Sequence, residues 1–210
     1  MKKQLLVFFI SLLVLPAVYG QSSEQSLVKE AFENYKSAIL NEKGEEAVRF
    51  VNSKTVAYYD DILNKVKNAD SAEVNGLSVL DKLMVFSIRH RTSRADILSF
   101  DGKALLVYAI KSGVVGKSSV INLSVGEIKT DGNYANGVVV TNGKATPLSF
   151  GFTKENGQWK IDLTSILPAS AAAFEAMVKD SGQEENEFFF SILNILTGKT
   201  PGPEIWKPVR

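Results

Sequence analysis

Cysteine is missing from all 210 residues. Its absence excludes disulfides, thiolate nucleophiles, cysteine-ligated metals and a lipid-modified cysteine at a processing site. Histidine occurs once, as His90, so Ser-His-Asp chemistry hinges on that residue and a multi-histidine metal site is excluded. No sign of charge dominates: 24 Lys and Arg face 23 Asp and Glu. That balance gives no electrostatic case for binding nucleic acid or an anionic membrane surface. Beyond residue 20 no long apolar run occurs. Of the 6 prolines, Pro201, Pro203 and Pro208 crowd the end of the chain and hold it extended.

The first 20 residues are apolar and patterned. Met1-Lys2-Lys3 is a basic start, Leu5–Ile10 continues after Ser11 to Leu15, and Pro16 precedes the small-residue boundary Val18-Tyr19-Gly20. This layout predicts a secretory signal peptide over 1–20, cleaved near Gly20. The apolar core falls short of the roughly 18 residues a spanning helix needs. The expectation is a secreted or periplasmic chain with no stable membrane insertion after cleavage. About 190 remaining residues can bury about 70% of their unfolded surface, enough for a core without disulfides.

Val28, Phe32, Tyr35 and Ile39 recur at helical spacing, predicting a helix over Ser23 to Leu40 that Gly44 ends. A short helix carries Ala47, Val48 and Val51. A third starts with Asn52 or Ser53 as N-cap and presents Val56, Tyr59, Leu63 and Val66 on one face. Residues 68–76 are polar and acidic and read as a loop. Leu77, Leu80, Leu83, Met84 and Ile88 mark a further helix, and another runs from an Asp101 cap to Gly113.

Strand patterning follows. Ile121, Leu123 and Val125 share a face, Asp131-Gly132 turns the chain, and Val138 and Val140 lie in a second strand. Asn142-Gly143 turns it again, Leu148, Phe150 and Phe152 alternate, Asn156-Gly157 turns it a third time, and Trp159, Ile161 and Leu163 alternate. The opposite face, with Asn122, Ser124, Ser149, Gly151, Gln158, Lys160 and Asp162, reads as solvated. Helices over about 168–179, ended by Gly182, and 184–197 come next. The second is so rich in Phe, Ile and Leu that it must be covered, and Ile205 with Trp206 anchors the tail. The class is α+β: N-terminal helices packed in a curved four-stranded antiparallel meander, plus a C-terminal helical extension.

Three segments carry a likeness to a known family: Ala31-Phe-Glu-Asn-Tyr35-Lys-Ser-Ala-Ile39, Val56-Ala-Tyr58-Tyr59-Asp60, and Phe152-Thr-Lys-Glu-Asn-Gly-Gln-Trp159-Lys-Ile-Asp-Leu163. With helices first and a meander after, residues 24–163 resemble the nuclear transport factor 2-like (cystatin-like) superfamily. The resemblance implies a cone whose sheet wraps its helices, with a pocket at the open end. The domains are then 1–20 as signal peptide, 21–167 as the cone domain and 168–210 as the helical extension and tail. Members include isomerases, dehydratases, cyclases, transport adaptors and immunity proteins, so the fold does not select a function. The family's catalytic Asp and Tyr have no counterpart that aligns here. The chain also departs from the family in having two helices between Leu77 and Gly113, where an early strand pair is common.

Gly113-Val-Val-Gly116-Lys117-Ser118 has the wrong spacing and order for a phosphate-binding loop, and reads as a helix stop and strand entry. His90 and Asp60 are the candidates for proton transfer; the competing readings are a surface or helix-end histidine and a solvated aspartate. Arg89, Arg91 and Arg94 either form an anion-binding cluster or a solvated helix end. Asn122-Leu-Ser124 is a glycosylation sequon within a strand. No acid, base and nucleophile converge, so no catalytic set is assigned, and no metal or cofactor is expected. The preferred expectation is a non-enzymatic binding module. Its concave pocket, lined by Tyr59, Phe86, Tyr108, Phe150, Phe152 and Trp159, would take a small apolar ligand or a partner segment. The alternatives are a lyase or isomerase using Asp60 or His90, and an interaction or immunity-type protein acting through its C-terminal helix, with a protein partner or as a homodimer.

Overall fold

A computed structural model describes residues 23–210. The expected signal peptide therefore lies outside the described residues. The architecture is α+β, with helices before and after one four-stranded antiparallel sheet of order β1-β2-β3-β4.

Helix α1 (Glu24–Leu40) starts where the Ser23 hydroxyl accepts the Ser26 amide at 3.2 Å. Its stripe of Val28, Phe32, Tyr35 and Ile39 is buried. The chain turns before Gly44, which does not end α1 but opens α2 (Gly44–Ala47). A Cβ on Gly44 would stand 2.8 Å from the Val107 carbonyl oxygen, so glycine is used here for close approach. Helix α3 (Ser53–Asn68) is capped by the buried Asn52, whose side chain accepts the Thr55 amide at 2.9 Å.

The segment read as a loop over 68–76 holds α4 (Ser71–Asn75). Asp70 accepts the Glu73 amide while the Glu73 carboxylate accepts the Asp70 amide, a reciprocal cap that stabilises a helix too short to show a period. Helix α5 (Val79–Arg91) is followed by α6 (Arg94–Ser99), capped by Ser93 inside the basic stretch. Helix α7 (Gly102–Lys111) begins at the Asp101 cap.

The sheet comprises β1 (Leu123–Asp131), β2 (Tyr134–Thr141), β3 (Lys144–Glu155) and β4 (Gln158–Asp162). Asn142-Gly143 and Asn156-Gly157 form two-residue hairpin loops with positive φ at both positions, the geometry for which asparagine and glycine are suited. The expected alternation fails in β1 because a bulge between Val125 and Ile128 shifts the phase. Val125 and Ile128 both face inward, whereas Ile121 precedes the strand and is 55% exposed. In β2 the buried positions are Ala135, Gly137 and Val139, which leaves Val138 and Val140 on the other side. Gly137 is bare because the Val125 side chain lies against it.

Leu163 is not in β4; it opens a 3-10 turn over Leu163–Ile166. This turn folds back over the outer face, where Ser165 accepts the Gly151 amide at 2.9 Å and donates to the Asp162 carbonyl at 2.6 Å. Asp162 and Gly151 are thus covered, not solvated. Asn122 lies exposed in a turn just before β1, while Leu123 and Ser124 of the sequon open the strand.

Two apolar clusters result. One joins α1, α2, part of α7 and the inner sheet face, with Phe32 and Phe150 rings 5.5 Å apart. The other joins α3, α5 and α6 to α8 (Leu167–Ser181), α9 (Glu185–Thr197) and the tail. Gly182 and Gly198 end α8 and α9 in the left-handed conformation. Phe189 and Leu193 of α9 are buried, as is Ile205, and Trp206 stands edge-on to Phe86 at 4.8 Å. Tyr59 of α3 packs against both clusters.

Candidate functional site

The six aromatic residues expected to line one concave pocket do not share a cavity. Phe86, Phe150, Phe152 and Trp159 are buried in the clusters, Phe86 in the second and the other three in the first. Each described groove contains at most one of the six: Tyr108, Phe152 or Trp159. Burial pushes the Tyr59 phenol above its ordinary pKa, so it stays neutral. The described depressions open to the surface.

The expected arginine cluster is divided as well. Arg89 donates to the carbonyl oxygens of Lys65, Val66 and Ala69, at the end of α3, and to that of Ile205. Arg94 holds the main-chain oxygen of Arg210, and Arg91 makes no recorded side-chain bond among the described residues. Arg89 links the tail to the end of α3 and Arg94 links it to α6, and the two do not converge on an external anion.

His90 Nε2 lies 2.9 Å from the Thr197 hydroxyl, which itself donates to the Leu193 carbonyl at 2.7 Å. A hydroxyl has one proton, so this arrangement assigns the His90 contact as a donor from Nε2. The histidine ties α5 to the end of α9. Asp60 accepts the Gly102 amide at 2.5 Å. A Cβ on Gly102 would stand 2.6 Å from the Asp60 nitrogen and the Val56 oxygen, so this glycine lets α7 begin directly against α3. Asp60 thereby offsets the positive end of α7, alongside Asp101, which accepts the Ala104 amide at 2.7 Å.

What remains is a surface groove of about 500 Å³ running along α7. Phe100, Ala104, Val107 and Tyr108 form its apolar floor, and the Phe100 and Tyr108 rings meet at a tilt with centroids 5.2 Å apart. Lys67 fixes the start of this wall by donating to the Phe100 carbonyl at 2.8 Å. At the far end Lys111 pairs with Glu45 at 2.5 Å, and hydrogen bonding from Lys111 holds the Glu45 carboxyl below its usual range. Of the residues named from the sequence only Tyr108 lines this groove. The others stayed hidden because Phe100 and Ala104 precede and open α7 without a period of their own.

A second groove, of about 400 Å³, lies on the outer sheet face among Asn52, Thr153, Asp162 and Ser165. Its polar groups are bonded to one another: Asp162 accepts from Lys54 at 3.0 Å and from the Thr164 hydroxyl at 2.6 Å. Burial alone would raise the Asp162 carboxyl, but the Thr164 bonds and the Lys54 ammonium outweigh it and hold the pKa below its ordinary value. This chemistry braces the 3-10 turn. Among the described residues no group of three or more His, Cys, Asp or Glu could hold a metal ion, and no helix is long and apolar enough to cross a membrane. No protein-family model, curated protein or solved structure matches the chain.

Proposed function

We propose that this chain is an exported, non-enzymatic binding module of the nuclear transport factor 2-like kind, taking a small, mostly apolar ligand in the groove along α7. The observation that carries the reading is the groove itself: about 500 Å³ with an aromatic pair in its floor, within the roughly 300–1,000 Å³ of small-molecule sites. Proton-transfer chemistry is disfavoured because Asp60 and His90 are each committed to a structural hydrogen bond.

The test is titration of the isotope-labelled protein with decanol, followed by amide chemical shifts. Shifts should gather at Phe100, Ala104, Val107 and Tyr108, and Tyr108→Ala should weaken them. Shifts confined to other elements, or none at millimolar ligand, would remove the groove from consideration. Export is read separately by the mass of the secreted product, which should lack residues 1–20.

A second reading, an interaction protein acting through α9, is favoured by Ile195 and Leu196, which are 81% and 61% exposed. Two neighbouring side chains make a smaller apolar surface than the patches of several hundred Å² that mark protein interfaces.

A further inference from the structure

The groove along α7 continues past its N-terminal end into a second depression of about 530 Å³, and Lys103 belongs to the walls of both. Val48, Val51 and Val56 give this extension an apolar floor. Five charged side chains line it: Arg49, Lys103 and Lys160 against Asp60 and Glu155.

The two acids are already engaged. Asp60 accepts the Gly102 amide, and Glu155 accepts both the Ser53 amide at 2.9 Å and the Ser53 hydroxyl at 2.6 Å. Their charge is therefore directed at the starts of α7 and α3. Lys160 stands 3.9 Å from Glu155. Arg49 and Lys103 are exposed and make no side-chain hydrogen bond or ion pair among the described residues. With Asp101, which accepts the Ala104 amide, the combined lining has four acids and four bases, and the two bases without a partner among the described residues, Arg49 and Lys103, sit at one end. The other end is closed by the Lys111–Glu45 pair.

Resting on the binding-module reading, we infer that the ligand is an amphiphilic organic acid. Its carboxylate meets Arg49 and Lys103, and its hydrocarbon part lies over Ala104, Val107 and Tyr108. The arrangement also fixes direction: the acid head lies toward the start of α7 and the tail toward Lys111. A guanidinium and an ammonium lining one depression supply charge-assisted donors to a carboxylate, and the valine and aromatic floor supplies the apolar contact.

Decanoate and decanol, equal in chain length, separate the two contributions. Titrated calorimetrically at low salt, decanoate should bind roughly fivefold or more tightly than decanol, the factor an exposed ion pair contributes. Arg49→Ala and Lys103→Ala should each weaken decanoate binding more than decanol binding and so reduce that preference. Neither residue has a recorded protein partner, so both variants should fold. Raising the ionic strength should also narrow the gap. Amide shifts that distinguish decanoate from decanol should centre on Arg49 and Lys103, not on Lys111. Equal affinities that are insensitive to both substitutions would overturn the acid assignment and leave the binding-module reading standing. Failure of both ligands to bind would overturn the two together.

Discussion

A guanidinium presents five N–H donors in a plane, and Arg89 directs its donors at four main-chain oxygens, three at the end of α3 and one in the tail. Without it these half-buried carbonyls lose their donors. Arg89→Met should lower unfolding stability by about 3 kcal/mol in urea titrations, and Arg89→Lys should recover only part, because an ammonium cannot reproduce the fork. Asp162 acts through charge. Its carboxyl is depressed in the folded state relative to about 3.9 in the unfolded chain, so its stabilisation is complete well above that value and fades as pH falls through the folded pKa. Asp162→Asn should therefore cost about 1–3 kcal/mol at pH 7, and the gap to wild type should shrink at pH 3. Paired thermal melts at the two pH values measure this.

At the level of elements, local signals identified what they physically control. Asn52 and Asp101 cap the helices their side chains suggested, and the Asn-Gly pairs turn the hairpins, because both effects act within a few residues. Helices α4 and α6 were missed since five or six residues carry no period; their signal was the caps at Asp70 and Ser93. The β1 bulge was also missed, because the one extra residue between Val125 and Ile128 reverses the parity that alternation assumes. The apolar content of α9 did require cover, and the structure places that cover in the chain's own second cluster. Deleting residues 183–210 would expose the sites of Phe189, Leu193 and Ile205. Large buried side chains cost about 3–5 kcal/mol each when truncated, against a total of about 5–15 kcal/mol for a whole domain. The shortened chain should aggregate, as read by light scattering; a monomeric, cooperatively folding product would show that α9 is dispensable.

For the whole molecule, the aromatic residues were legible as buried, but the described grooves divide them and do not gather them round one hollow. Whether space between apolar side chains is filled depends on how distant elements settle against one another, which hydrophobic pattern does not encode. The candidate groove runs along α7 beside α2, two helices that approach closely at the bare Gly44, and of the expected pocket residues only Tyr108 announced it. Contacts between the tail and α3 span most of the described chain: the Val209 amide bonds the Lys67 carbonyl, and the Arg210 guanidinium bonds that of Asn68. During synthesis, which delivers the amino-terminal residues first, the helical half cannot close until its final segment has emerged. The knot that fastens α3 to the tail is therefore tied last, and the earlier helices wait for it.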